Sequence, residues 1–232
     1  MVLFFLPHAG GSAKSYSSFK RFLPKELKVI PMELSGRFTR SAEPLLTDIG
    51  SCAADLIEKH REILASEDYV VFGHSMGTVL ACELIRQAKA QGLSMPIHVF
   101  LSGRCAPDEP IKCFKDTAAA SDEEIVNFFA ANSLSGASPI QDEELIKQLN
   151  MILCTDVRMA DSYEIASGEL DFGCDLTVLY GTEDIMLKEA DMSGWKRFTS
   201  GSCTVRSYSG GHFYYTEHKE EVCRIITETL GI

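Results

Sequence analysis

The run G-H-S-M-G at 73–77 has the residue types and spacing of a serine nucleophile on a tight turn. It follows the apolar stretch Tyr69–Phe72 and opens an amphipathic helical pattern, which is the strand–turn–helix context that G-x-S-x-G requires. The flanking glycines let neighbouring backbone pass close to the turn. The helix N-terminus favours developing negative charge. The motif therefore predicts nucleophilic catalysis by Ser75, and a plain glycine turn with a capping serine is the alternative.

A serine hydroxyl is a weak nucleophile and needs a general base. Among six histidines, His212 stands in S-G-G-H-F directly after the last strand-like run, where two glycines permit an unusual loop backbone. This position places its imidazole at the same sheet edge as Ser75, so His212 is the predicted base. The histidines in a helical pattern, a strand-like run, the elbow and a charged helix start are assigned no catalytic role: His60, His98, His74 and His218.

The base in turn needs a carboxylate that fixes its tautomer and stabilises imidazolium. In this arrangement the acid lies between serine and histidine along the chain, after a strand end. The apolar run Leu176–Tyr180 ends in G-T-E-D at 181–184. Asp184 is the predicted acid, and Glu183 and Asp191 are the alternatives. The other interpretation of Asp184 is a solvated loop carboxylate without a catalytic role.

Stabilising a tetrahedral oxyanion requires two backbone N–H groups. One comes from the residue after the nucleophile, Met76, and the other from a loop after an early strand. The loop P-H-A-G-G at 7–11 follows the apolar run Val2–Leu6 and has the required glycines. Ala9 is the predicted second donor and Gly10 the alternative.

Six strand-like runs alternate with helical patterns, which predicts an α/β fold with a mostly parallel sheet flanked by helices. The predicted strands are Val2–Leu6, Lys28–Leu34, Tyr69–Phe72, His98–Leu101, Leu176–Tyr180 and Cys203–Tyr208. The predicted helices run from a cap at Thr47 to Leu64, from Met76 to Gln91, and from His218 to Leu230.

Residues 105–173 break this alternation, because they contain no convincing strand pattern. A capping box, S-D-E-E at 121–124, predicts a helix over Ile125–Ala131. The stretch Asp142–Tyr163 predicts a longer helix, interrupted near Thr155. The chain is therefore divided into a core of residues 1–104 and 174–232 and a helical insertion of residues 105–173.

Composition excludes several classes of protein. The chain has 232 residues, which suits one large domain, and no apolar run that could span a bilayer. The opening run is too short for a signal peptide and predicts a buried strand of a cytosolic protein. The eight cysteines are scattered without metal-ligand spacing and are expected to be reduced. The net charge of −11 argues against nucleic-acid binding.

The motifs together resemble those of type II thioesterases, the stand-alone α/β-hydrolases that accompany nonribosomal peptide and polyketide synthases. The resemblance covers nearly the whole chain and is carried, in order, by P-H-A-G-G-S-A at 7–13, P-M-E-L-S-G-R at 31–37, G-H-S-M-G at 73–77, L-S-G-R-x-A-P at 101–107 and G-G-H-F at 210–213. One departure is E-L-S-G-R at 33–37, where the family usually has Pro in place of Ser. The first strand also begins almost at residue 1, without the extension seen in many relatives.

The resemblance implies an α/β-hydrolase fold, a catalytic triad, an oxyanion hole and a helical lid formed by residues 105–173. The triad would be Ser75, Asp184 and His212, and the oxyanion donors would be Ala9 and Met76. It implies removal of stalled or mischarged acyl groups from the phosphopantetheine arm of carrier proteins, with no cofactor beyond that arm. A cytoplasmic monomer that contacts neither nucleic acid nor membrane is expected.

Charge distribution adds a hypothesis about the carrier. Residues 1–40 carry seven Lys or Arg and two Glu, whereas carrier proteins are typically acidic. A chance cluster on a solvated face is the alternative to a docking surface. Some of the following five residues are predicted to assist docking: Lys14, Lys20, Arg21, Arg37 and Arg40.

Two other functions are compatible with the motifs: a general carboxylesterase or lipase-like enzyme, and a non-catalytic hydrolase-fold receptor or scaffold. In the catalytic readings His212 must be neutral, which predicts that activity falls below about pH 6–7.

Overall fold

A computed structural model describes residues 1–109, 117–132, 142–165, 168–188 and 190–232. Six strands form one sheet in the order β2-β1-β3-β4-β5-β6, and each pairs with its neighbours in parallel. The predicted parallel sheet is therefore confirmed. The strands are β1 (Val2–Leu6), β2 (Lys28–Pro31), β3 (Tyr69–His74), β4 (His98–Ser102), β5 (Asp175–Gly181) and β6 (Cys203–Tyr208).

The helices that the structure describes agree with the predicted pattern except at their ends. They are α1 (Ile49–Ser66), α2 (Met76–Ala90), α3 (Asp122–Asn132), α4 (Glu143–Asp161) and α5 (Lys219–Leu230), with short 3-10 helices in several loops. The cap of α1 is Asp48 and not Thr47, because the Asp48 carboxylate accepts the Ser51 N–H at 2.7 Å. The predicted interruption at Thr155 is wrong, since α4 runs through it.

Side chains of the central strands alternate between two apolar layers. Val2, Phe4 and Leu6 belong to the cluster that includes the buried faces of α1 and α2. Leu3 and Phe5 belong to the cluster on the other face, which includes α5 and the 3-10 helix Ala13–Arg21. Both faces of the central strands are covered, which explains why β1, β3 and β4 are nearly continuous apolar runs rather than alternating ones, whereas the edge strand β6 is mostly exposed.

Strand β2 is shorter than predicted. It ends at Pro31, which has no N–H for the sheet ladder, and the chain then turns through Gly36 at φ 79°. A side chain at Gly36 would place Cβ 2.4 Å from the Leu45 Cα, so this turn requires glycine.

The predicted insertion contributes α3 and α4, which follow β4 and precede β5. The two helices pack together around a small apolar cluster of Ile125, Cys154 and Val157. Residues 110–116, 133–141 and 166–167 of the insertion lie outside the described residues, and the division into core and insertion stays a prediction.

Within the described ranges, no helix is long and apolar enough to cross a bilayer. Those same ranges contain no cluster of His, Cys, Asp and Glu able to hold a metal ion.

Candidate active site

Ser75 occupies a strained turn between β3 and α2. Its backbone has φ 54° and ψ −117°, a region that non-glycine residues rarely adopt. Its N–H donates to the Ser102 carbonyl at 2.7 Å, which ties the turn to the end of β4. The turn thus presents Ser75 at the carboxyl edge of the sheet, where the sequence motif predicts it.

The glycines flanking Ser75 are required by contact with backbone. A Cβ on Gly73 would lie 2.2 Å from the Gly77 carbonyl oxygen, and a Cβ on Gly77 would lie 2.6 Å from the Leu6 carbonyl oxygen. Strand β3, helix α2 and the end of β1 therefore approach more closely than side chains permit. This approach is the structural reason for glycine at both ends of G-x-S-x-G.

His212 and Asp184 form a buried pair at the same edge. His212 Nδ1 lies 2.7 Å from Asp184 Oδ2, and both residues are less than a tenth exposed. The other carboxylate oxygen, Oδ1, accepts the Met186 N–H at 3.0 Å, which fixes the acid at the start of a 3-10 turn. The arrangement orients the imidazole as a triad requires.

The alternative acids are placed elsewhere. Glu183 is exposed, and its side chain accepts the Gly210 N–H at 3.3 Å. Asp191 is exposed and caps the 3-10 helix Met192–Phe198 by accepting the Ser193 N–H at 2.9 Å. Of the three carboxylates, the structure places Asp184 against His212.

The contact with Asp184 through Nδ1 orients the ring of His212, and the second ring nitrogen, Nε2, takes no part in it. Its Nε2 is buried and has no hydrogen-bond partner among the described residues. The ring packs against His74, the residue before Ser75, with centroids 4.8 Å apart. Hydrogen bonds between a catalytic base and its nucleophile are often long until substrate binds. The geometry therefore places the imidazole of His212 beside the serine turn.

Two further histidines lie next to this base, and sequence reasoning assigned neither a role. His74 Nδ1 lies 2.9 Å from Ser102 Oγ, which lies 2.7 Å from the Tyr214 hydroxyl. Burial, then the neighbouring His212, lowers the pKa of His8 to about 4 and holds the pKa of His74 well below its usual range. Both rings are therefore neutral near pH 7, and neither adds a positive charge beside His212.

The loop after β1 contains Ala9 and Gly10, the two candidates for the second oxyanion donor. The Gly11 N–H donates to the His8 carbonyl at 2.9 Å, and Gly10 has φ 71°. The Gly10 N–H donates to Asp156 Oδ2 at 2.8 Å, so this alternative donor is already engaged. The Ala9 N–H has no acceptor among the described residues, and Met76 begins α2, where N–H groups lack helical partners. The N–H groups of Ala9 and Met76 thus have no acceptor among the described residues, and their role as oxyanion donors stays a prediction.

The acceptor of the Gly10 N–H is itself part of a buried ion pair. Arg37 binds both carboxylate oxygens of Asp156, with Nη2 to Oδ1 at 2.7 Å and Nη1 to Oδ2. The two side chains have no solvent exposure. Burial raises the pKa of the Asp156 carboxyl, while Arg37 and the Gly10 amide act in the opposite direction. Sequence reasoning missed this pair.

Two of the five candidate docking cations are therefore excluded by the structure. Arg37 is buried against Asp156, and Arg40 is buried in ion pairs with Glu43 and Asp55. Structural pairing explains both guanidinium groups. The remaining three side chains are exposed: Lys14, Lys20 and Arg21.

A cleft adjoins the acid–base pair, between α3 and the loops that follow β5 and β6. Aromatic side chains from both sides give it apolar walls. Its lining comprises Phe128, Phe129, Asn132, Glu183, Asp184, Ile185, Met186, Gly211, His212 and Phe213. Helix α3 thus forms one wall of the space next to His212.

A parallel sheet with a serine turn after β3, an acid after β5 and a histidine after β6 defines the α/β-hydrolase class. The chain belongs to the thioesterase family: the family model described as "Thioesterase domain" matches residues 2–230. It is 31% identical to the gramicidin S biosynthesis protein GrsT of Aneurinibacillus migulanus, over 99% of this chain and 89% of that one. It is 29% identical to thioesterase PikA5 of Streptomyces venezuelae, over 97% of this chain and 79% of that one.

Solved structures give the same result. The type II thioesterase BorB, from the borrelidin biosynthetic cluster, superposes with a TM-score of 0.82 at 31% identity, covering 98% of this chain and 91% of that one. ClbQ, from the colibactin NRPS/PKS pathway, superposes with a TM-score of 0.89 at 25% identity, covering 99% and 96%. The predicted α/β-hydrolase fold and resemblance to type II thioesterases are confirmed.

Proposed function

We propose that this thioesterase hydrolyses acyl groups from the phosphopantetheine thiol of carrier proteins in nonribosomal peptide or polyketide synthesis. The observation that carries the chemistry is the buried His212–Asp184 pair beside the strained Ser75 turn. The substrate class is supported by the similarity to GrsT, BorB and ClbQ, whose descriptions place them in biosynthesis, in a biosynthetic cluster and in an NRPS/PKS pathway, and to PikA5, which is named a thioesterase. The general carboxylesterase and the non-catalytic receptor are not favoured by these relatives.

The proposed reaction has two acyl transfers. His212 Nε2 takes the Ser75 proton as Oγ attacks the thioester carbonyl, and the Ala9 and Met76 amides stabilise the oxyanion. The carbon–sulfur bond breaks, and the protonated imidazole gives its proton to the departing thiolate, which leaves as the free thiol. Water then attacks the acyl-serine with His212 again as base, releasing a carboxylic acid and restoring Ser75. Asp184 holds the ring and stabilises imidazolium throughout.

Cofactor use, the lid and carrier docking complete the proposed function. The phosphopantetheine arm arrives on the carrier protein, so the chain itself supplies every catalytic group and no cofactor is needed. Helices α3 and α4 serve as a lid over the acyl group. The enzyme acts as a monomer in the cytoplasm, and exposed cations after the oxyanion loop, Lys14, Lys20 and Arg21, assist docking of an acidic carrier.

Replacing the nucleophile tests the chemistry. Ser75→Ala should lower kcat for acyl-carrier thioesters by at least about 10⁴-fold, because the acyl-enzyme can no longer form. Asp191→Asn, at the exposed loop acid, is the matched control and should retain wild-type turnover. Hydrolysis by purified, folded Ser75→Ala at the wild-type rate would disprove the assignment.

Docking is tested with two substrates that share one acyl group. A triple change of Lys14, Lys20 and Arg21 to Gln should raise KM for the acyl-carrier protein by about tenfold, since each lost rim charge weakens encounter and binding. KM for the same acyl group on a small thiol should stay within about twofold. Equal effects on both substrates would count against a docking role, and an oxygen-ester preference in the wild type would favour the carboxylesterase alternative.

A further inference from the structure

Asp156 joins three parts of the molecule that are far apart in sequence. It lies on α4, 119 positions from Arg37 and 146 positions from Gly10, and it accepts hydrogen bonds from both. Its carboxylate has no solvent exposure. A side chain of the insertion therefore reaches the loop that carries the oxyanion donor.

The oxyanion loop is held from two sides. Within the loop, the Gly11 N–H donates to the His8 carbonyl, and Gly10 adopts a left-handed backbone. From α4, Asp156 accepts the Gly10 N–H, and Leu153 covers the same residue, since a Cβ on Gly10 would lie 3.2 Å from Leu153 Cδ1. The peptide that carries the Ala9 N–H lies inside this turn, so its direction depends on both attachments.

Stability alone does not account for the ion pair. Burying two charges costs more desolvation than their attraction commonly returns, and apolar replacements of similar shape are often as stable. This pair also leaves Arg37 Nε buried without a hydrogen-bond partner among the described residues. A polar acceptor at position 156 is nevertheless what the Gly10 N–H requires.

We propose that Asp156 is a positioning residue for the oxyanion hole. It fixes the Gly10 N–H so that the preceding Ala9 N–H is aimed at the developing oxyanion, and Arg37 holds its carboxylate in that orientation. Helix α4 is therefore a built-in part of the catalytic centre. This inference rests on the proposed function, because the Ala9 donor has a task only if Ser75 forms a tetrahedral intermediate.

Two double variants separate positioning from folding. Arg37→Met with Asp156→Leu removes both charges and the acceptor, and Leu branches at the same carbon as Asp. Arg37→Met with Asp156→Asn removes the same charges but keeps an acceptor for the Gly10 N–H. With a small acyl thioester as substrate, the Leu form should lose about 10–10² in kcat with KM within about twofold, because a misdirected donor acts on the transition state.

The kcat of Arg37→Met with Asp156→Asn should be at least about tenfold higher than that of Arg37→Met with Asp156→Leu. The two variants should have equal thermal stability. Wild-type kcat in the folded Leu form would overturn the inference, as would equal losses in both folded variants. Neither result touches the proposed function, which fails only if Ser75→Ala remains active.

A backbone change covers the case in which the double variants do not fold. Residues near the N-terminus are accessible to chemical ligation, so the Gly10 amide can be replaced by an ester that lacks the N–H and leaves Arg37 and Asp156 intact. The folded ester form should also lose about 10–10² in kcat with little change in KM. An unchanged kcat would overturn the role of this hydrogen bond.

Discussion

Helices α3 and α4 follow one another between β4 and β5 and pack together, yet they are attached to the molecule in different ways. Helix α4 buries six side chains, including Asp156, whereas α3, which the structure describes throughout, buries only Ile125. Each helix contributes to an ion pair: Asp156 with Arg37 is fully buried, and Asp122 with Arg158 is largely exposed. Two helices that are neighbours in sequence therefore differ in how much of their surface is buried.

The two helices contact different parts of the molecule, which predicts different functions for them. The C-terminal half of α4 meets the core, where Met159 lies against Cys52 and the Ala160 carbonyl accepts from Arg104 at 2.9 Å. Helix α3 instead lines the cleft beside His212 with Phe128 and Phe129. Changes in α4 should alter folding and turnover rate, and changes in α3 should alter which acyl groups are accepted.

The largest expected difference between the helices is in stability. Asp156→Ala should lower the free energy of unfolding by about 3–5 kcal/mol, because it leaves the buried Arg37 charge unpaired. Asp122→Ala, the matched change at the exposed pair, should cost less than about 1 kcal/mol. Urea unfolding of both variants measures this difference. Equal losses of unfolding free energy would contradict it.

The loop that α4 holds carries His8, whereas no histidine lies between residues 105 and 173, so acid should act through this loop between pH 7 and pH 5. Burial lowers the pKa of His8 to about 4, so the unfolded chain binds a proton near pH 6.5 that the folded chain refuses. Stability is therefore fully present above pH 6.5 and falls with acid, by about 2 kcal/mol from His8 between pH 7 and pH 5.

The matched variant for this effect is His8→Asn, which keeps a polar group for the Tyr215 hydroxyl at 3.3 Å. Between pH 7 and pH 5, the unfolding free energy of His8→Asn should fall by about 2 kcal/mol less than that of the wild type. The part of the decrease that comes from His74 should remain. Urea unfolding at the two pH values provides the measurement. An unchanged pH dependence would show that His8 is protonated equally in both states.

The smallest expected effect belongs to α3. Phe129→Ala should widen the cleft beside His212 and shift the ratio of kcat/KM for a longer over a shorter acyl thioester by about tenfold. Global stability should change little, because Phe129 is only partly buried. A shift equally large in Leu153→Ala on α4 would contradict the division between the two helices.

Much of the fold and of the candidate site follows from local pattern. Strands β1 and β6 have the predicted bounds, because each stops at turn residues, although only β1 is a continuous apolar run. The Ser75 turn and the proximity of His212 and Asp184 were also predictable, since parallel strands bring their carboxyl ends to one edge. The catalytic roles of these residues stay predictions.

The errors share a physical cause. Arg37 and Arg40 were predicted as docking cations from charge along the chain, but a charged side chain is buried or exposed according to partners that folding brings to it. Asp156 lies in a region with no motif, and its two partners are more than a hundred positions away. The spacing of residues along one sequence carries no information about such a contact.

The backbone contact at Gly181 has a consequence for protein engineering. A Cβ there would lie 2.3 Å from the Gly211 carbonyl oxygen and 2.4 Å from the Gly210 carbonyl oxygen, so the segments bearing Asp184 and His212 touch through main chain. The two segments form a single transplantable unit. A chimera that exchanges one of them with a homologue would misalign the pair, whereas exchanging both together would keep their mutual geometry.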